Sequence, residues 1–402
     1  MRIALFHNLP SGGAKRTLYE SAKRLAANHH IDVYTLTCAD HDFANLRPLV
    51  ASHKAFDFRP LPLLSSPLGR LNQAIRLADL LRLSVLSRVI AHEIKSAHYD
   101  VVLAHPCQFT KSPSILRHLS SPPAIYYCQE PLRLLYEAMP ARPYDHDDAS
   151  WRLMLNHVDP LPFLYHAALK RIDQCNTRSA SLVLVNSEFT RQAVHRIYQV
   201  EARVSYHGVD AHRFRPLPVE KRHIVLSVGS LSPLKGFDFL IQAVARISSD
   251  QRPSLVIASN FQWPPERIYL KQLAHDLDVE LVLFASVSDE HLVQLYNQAK
   301  VTVYAPLREP FGLVPLESMA CGTPIVGVRE GGLQETIIHE RTGLLVERDC
   351  EQFARAVQHL LSNSTLASEY GRNGREHVLR NWTWDQAVTT LESHLTACAR
   401  MK

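Results

Sequence analysis

The 402-residue chain carries 44 Lys+Arg against 39 Asp+Glu, a formal net charge of +5, with 46% hydrophobic and 21% charged residues. So small a basic excess excludes the dense cationic stripe of a nucleic-acid binder, and so even a composition excludes extended disorder. A chain this long exceeds the size at which one hydrophobic core stops growing, so two domains of about 200 residues are expected, with a cleft between them as the default site.

Short runs rich in Val, Ile and Leu alternate with longer amphipathic stretches, the pattern of buried parallel strands joined by crossover helices, so the fold class is α/β. The first strand, Ile3 to Phe6, is too short and too soon followed by polar residues to be a signal peptide. No run approaches the ~20 apolar residues of a membrane span, and a cytoplasmic protein is expected. The loop Pro10-Ser11-Gly12-Gly13-Ala14-Lys15-Arg16 then leads into a helix; by itself a Gly-Gly turn marks only a tight strand-to-helix connection. After a strand at Asp32 to Leu36, the stretch from Arg70 to His98 places Leu71, Ile75, Ala78, Leu81, Val85 and Val89 at helical spacing among five basic residues. A surface helix with solvated arginines is the favoured reading, and peripheral contact with a membrane is compatible with it.

The strand Val101 to His105 ends in a histidine, and the strand Ala124 to Cys128 runs into Gln129-Glu130-Pro131-Leu132-Arg133. Ligands of open α/β sheets bind at that edge, although a lone histidine is more often structural. Asp145-His146-Asp147-Asp148 holds an Asp-x-Asp pattern but lies near Pro140 and Pro143, which favours a solvated loop. His92, Glu93 and His98 do not make a zinc helix, because six residues separate the histidines onto different faces. No metal site is predicted. The seven cysteines include no C-x-x-C pair and read as scattered reduced thiols.

Strands at Leu182 to Asn186 and Val204 to His207 complete the first half, with Ser187 as a helix N-cap. The proline-bearing stretch Arg213-Phe214-Arg215-Pro216-Leu217-Pro218 reads as a linker, which puts domains at 1–210 and 211–383. The second half offers strands at Ile224 to Val228, Leu255 to Ala258, Leu281 to Phe284, Val301 to Ala305, Ile325 to Val328 and Leu344 to Val346. Two such series imply two Rossmann-like, doubly wound domains facing across a cleft. Between Val301 to Ala305 and a helix starting about Pro310 to Leu313 stand Glu309 and, eight residues on, Glu317. The helix N-terminus would meet a diphosphate, with Gly312 letting it approach the backbone, and Glu317, about two turns on, would meet a ribose diol. The alternative is that both glutamates are ordinary surface charges.

The block Glu309-Pro310-Phe311-Gly312-Leu313-Val314-Pro315-Leu316-Glu317, continued in Ser318 to Val326, Glu330-Gly331-Gly332 and Gly343 to Val346, resembles the retaining GT-B-fold glycosyltransferases of family 4 / group 1, known for a Glu-x7-Glu motif and including bacterial polysaccharide mannosyltransferases. The block Val228 to Asp238 is similar to the family's diphosphate clamp, with Lys235 as its cation and Ser230 where arginine is usual. The resemblance implies His105, Glu309 and Lys235 as catalytic residues. It implies Gly12, Gly13, Ser230, Phe311, Gly312, Leu313 and Glu317 around the donor, and Gln129, Glu130 and Arg133 toward the acceptor. Arg308 and Arg16 are candidates to replace the missing arginine.

The implied activity is metal-independent transfer of a hexose from a nucleotide-diphosphate sugar, GDP-mannose before UDP-hexose, to a glycan or lipid-linked acceptor in polysaccharide synthesis, with no cofactor. A helix at about 384–402 is expected to return to the first domain. A nucleotide-sugar-binding scaffold without activity, or an epimerase on the same fold, are the alternatives.

Overall fold

In a computed structural model the structure describes residues 1–65, 68–146 and 159–400. The chain divides into two compact units. One holds Met1–Ala138, Asp147–Tyr206 and the chain from Val388 onward; the other holds Met139–His146 and His207–Ala387. The division thus falls at Tyr206/His207 rather than near 210, and a short segment from the first half of the sequence belongs to the second unit. Among the described residues, no helix is long and apolar enough to cross a membrane.

The first unit contains β1 (Arg2–Asn8), β2 (His30–Leu36), β3 (Ser52–Phe56), β4 (Val101–Cys107), β5 (Ala124–Cys128), β6 (Leu182–Val185) and β7 (Ala202–Val204). They pair in parallel in the order β3-β2-β1-β4-β5-β6-β7. Every residue of β4 and β5 is buried, as a parallel sheet covered on both faces requires. β3 was not expected, and β7 lies upstream of the predicted Val204 to His207.

The predicted surface helix forms at Asn72–Ser96, but with another face inward. Leu80, Leu83, Ile90, Ala91 and Ile94 are buried, whereas Leu81, Val85 and Val89 are 71, 61 and 54% exposed. Apolar and charged residues are both spread round the helix, so the spacing of one apolar stripe could not tell which face would meet the sheet. In the C-terminal helix Trp384–Ala399, the buried Leu391, Leu395 and Cys398 and the 2.7 Å contact of Glu392 with His29 tie the end of the chain to the first unit.

The second unit contains β8 (Arg222–Val228), β9 (Ser254–Ser259), β10 (Leu281–Ala285), β11 (Ala299–Tyr304), β12 (Ile325–Val328) and β13 (Gly343–Val346). Its parallel order is β10-β9-β8-β11-β12-β13. In both sheets the chain starts in the middle, winds one way, then crosses back and winds the other. The order therefore reverses between β1 and β4, and again between β8 and β11, and the helices diverge there to leave a crevice at the strand carboxyl ends.

Candidate functional site

In the second unit the segments after β8 and β11 meet at that reversal. β8 ends in Gly229-Ser230, and a turn at Pro233–Lys235 leads through Gly236 into the helix Phe237–Ala245. Gly236 has φ 63°, and a Cβ there would lie 2.1 Å from Ala305 O. Only glycine lets these two backbones come so close. Leu307 N also donates to Leu234 O at 2.9 Å. Lys235 is thereby held so that Nζ donates to Glu309 Oε2 at 2.8 Å.

The chain leaving β11 is fixed from its other side too. Gly332 N donates to Glu309 O at 2.8 Å, and a Cβ on Gly331, φ 59°, would stand 2.3 Å from that same oxygen. Arg348 donates to both carboxylate oxygens of Glu330 at 2.6 and 2.9 Å, and to Ala305 O and Pro306 O at 3.0 and 2.8 Å. Burial opposes charge on Glu330, but the Arg348 guanidinium outweighs it and holds the carboxyl below its usual value. Glu309 thus stands on a loop whose backbone is held by the segments following β8, β12 and β13.

The helix begins at Leu313, with Gly312 at φ 93° as its N-cap, and runs to Ala320. Glu309 precedes it in the loop and Glu317 comes about one turn into it rather than two. Neither is a surface charge: the Glu309 side chain is 15% exposed, and Glu317 is buried and accepts a 2.8 Å hydrogen bond from Tyr296 Oη. The Phe311 ring is buried against His207 and Trp382, with centroids 5.4 and 5.7 Å away, so its side chain belongs to the core. Leu313 is half-buried, and Ser230 keeps its Oγ 3.5 Å from that of Ser232. Arg308 is exposed, while Arg16 in the other unit lies over the Phe43 ring.

In the first unit the reversal lies between β1 and β4. Gly12, φ 140°, caps the helix Gly13–Leu25, and its carbonyl accepts from Lys15 N and Arg16 N. His105 on β4 is buried, its ring parallel to Tyr127 at 5.5 Å. Both of its ring nitrogens are shut off from solvent and make no hydrogen bond among the described residues. Burial, reinforced by Lys15, lowers its pKa to about 3, so the ring is neutral near pH 7 and offers one donor and one acceptor.

Sequence reasoning missed the pair beside it. Lys15, almost fully buried, directs Nζ to His7 Nε2 at 3.2 Å, and burial lowers its pKa to about 8. Its position in the Gly-Gly loop was the one available signal. On the acceptor side, Gln129 is buried, its carbonyl accepting from Asn186 Nδ2 at 2.9 Å. Glu130 pairs with Lys111 at 2.8 Å, and Arg133 with Glu137 at 3.0 Å. Asp145 accepts from Arg142 N, while Asp147 and Asp148 lie outside the described residues. Among the described residues no group of His, Cys, Asp and Glu is arranged to hold a metal ion, and all seven cysteines are free.

Comparison with known proteins bears on the family and the fold. The family model for glycosyl transferases group 1 matches residues 209–377, and that for Glycosyltransferase Family 4 matches residues 11–213. A D-inositol 3-phosphate glycosyltransferase of Acidothermus cellulolyticus is 37% identical over 46% of this chain and 46% of its own. The human alpha-1,3/1,6-mannosyltransferase ALG2 is 26% identical over 58% of this chain and 62% of its own. The chain spans about half to three-fifths of the length of the curated relatives it matches.

A crystal structure of Anabaena Alr3699/HepE in complex with UDP-glucose aligns with 99% of the chain and all of its own at a TM-score of 0.73 and 19% identity, which shows the fold. Two Rossmann-like domains of the GT-B type and family matches that together run from residue 11 to 377 lead to one conclusion: the chain belongs to Glycosyltransferase Family 4.

Proposed function

We propose that the chain transfers a hexose, mannose first, from a nucleotide-diphosphate sugar to a glycan or lipid-linked acceptor, with retention of anomeric configuration. The observation that carries this reading is the Lys235–Glu309 ion pair at the β8/β11 reversal, beside a buried helix that starts at Leu313. A cation and the positive end of a helix dipole at one crevice suit a diphosphate, and both stabilise charge that grows as it departs. In the reaction the bond from the anomeric carbon to the diphosphate breaks, the acceptor oxygen bonds to that carbon on the same face, and its proton passes to the departing diphosphate. The proposed transfer is metal-independent, with Lys235 and the helix N-terminus meeting the charge of the leaving diphosphate. The kinship with the human mannosyltransferase ALG2 supports mannose, whereas the UDP-glucose bound by the Anabaena protein keeps a UDP-hexose as the competing donor.

The test is thermal stabilisation by a panel of nucleotide sugars, followed by donor hydrolysis with and without EDTA. The expected result is stabilisation by GDP-mannose and slow hydrolysis that EDTA leaves unchanged and that Glu309→Gln abolishes. Stabilisation by UDP-hexoses alone would overturn the mannose assignment, and binding without any turnover would indicate a scaffold.

A further inference from the structure

The first unit has a second polar concavity, at the edge of the sheet opposite to His105 and the Gly12 loop. In a parallel sheet the helices that feed the strands end at the strand amino ends. There the close of the helix Asn72–Ser96, the turn Ser114–His118 and Ser179 at the end of the helix Pro160–Arg178 enclose an open groove of about 630 Å³. Arg88, His92, Lys95, Arg117 and His118 line it, and no carboxylate does. Arg88, Lys95 and Arg117 make no ion pair or side-chain hydrogen bond among the described residues. The three lie close enough to His118 to act on it: burial lowers its pKa, and Arg88, Arg117 and Lys95 lower it further.

Three cations without a side-chain partner and two imidazoles on one concavity, with no carboxylate among them, make it a place that favours an anion. The helix also shows how a larger ligand would be met. At 100° per residue, Leu81, Val85, Arg88, His92 and Lys95 form one outward stripe, apolar at its start and cationic where it enters the groove.

We infer that this groove is a phosphate-binding site, separate from the glycosyl-transfer site, that takes a phosphate ester or the headgroup phosphate of an anionic lipid. The inference does not depend on the proposed reaction, because its residues and its edge of the sheet are different.

The experiment uses the full chain with two probes: inorganic pyrophosphate by calorimetry, and flotation with phosphatidylcholine vesicles that do or do not contain phosphatidylglycerol. Binding of either probe is expected to fall about tenfold in Arg117→Gln and in Arg88→Gln, the loss of one charge-assisted contact each. Nucleotide-sugar stabilisation and melting temperature should stay unchanged in both variants. A lipid source predicts flotation only with phosphatidylglycerol, weakened by Val85→Ser. A soluble phosphate source predicts pyrophosphate binding that Val85→Ser leaves alone. Absence of binding by both probes, or binding equal in wild type and both glutamine variants, would overturn the site.

Discussion

Below neutrality, the buried imidazoles of the first unit should govern its stability. His105, with a pKa lowered to about 3, and His7, lowered well below the ordinary value of 6.5, are both fully enclosed and stay neutral in the folded chain. When the chain unfolds they regain that ordinary value, so below about pH 6.5 the unfolded state binds more protons than the folded one, and His53, lowered to about 4, acts in the same direction. Stability therefore rises with pH. The contribution is complete above pH 6.5 and is lost as pH falls from there toward 3. His105 gives about 1.4 kcal/mol per pH unit and about 5 kcal/mol over its whole range, and His7 adds to it with the same sign. Asp173 acts the other way, since burial raises its carboxyl and protonation helps retain it. His105→Asn removes one titrating group and should flatten the slope by about 1.4 kcal/mol per pH unit. Urea unfolding at stepped pH, followed by a probe in the first unit, measures that slope, and the imidazole proton resonances report each histidine. An unchanged slope in the variant, or a His105 resonance that titrates near 6.5, would refute the reasoning.

Lys235→Ala should weaken donor binding about tenfold to a hundredfold, the range of one charged hydrogen bond to phosphate, as read by calorimetry against the nucleotide sugar that stabilises the wild type. Arg142 is buried with the fully enclosed Glu266 at 3.1 Å and with Asp238 at 3.1 Å. Arg142→Met strands that carboxylate and should cost the second unit about 3–5 kcal/mol in denaturant unfolding. Gly331→Ala forces a Cβ into Glu309 O and should reduce both melting temperature and turnover. Gly12→Ala meets no atom within 4 Å, so it should cost only the backbone strain of about 1–3 kcal/mol.

The buried strands could be read from sequence because parallel strands covered on both faces are uninterrupted apolar runs, as in Ala124–Cys128 and Ile325–Val328. β3 escaped because Ser52–Phe56 is a half-exposed edge strand whose polar residues carry no such signal. The orientation of Asn72–Ser96 was lost for another reason: leucines and valines occur on its exposed as well as its buried side, so no single apolar stripe marks the inward face. At the candidate site, the spacing singled out Glu309 and Glu317 and the family resemblance singled out Lys235, but the features that immobilise Glu309 are contacts distant in sequence. Arg348 reaching Ala305 and Glu330 is one, and Gly331 against Glu309 is another. The enclosure of Lys15 was equally hidden, since a lysine is exposed by default.

The pairing of Arg142 with Glu266 bears on any attempt to study the halves apart. Because Met139–His146 belongs with residues 207–387 and the chain returns to the first unit at Val388, the polypeptide changes unit four times rather than once. A fragment ending at Tyr206 would carry away a guanidinium whose carboxylates are left behind, and the remaining fragment would inherit an enclosed glutamate with its cation gone. Tyr144, which donates to the same glutamate and stands against Trp263, would leave with it. The second half is thus self-sufficient only when supplied with those eight residues, grafted ahead of His207 or added as a separate peptide.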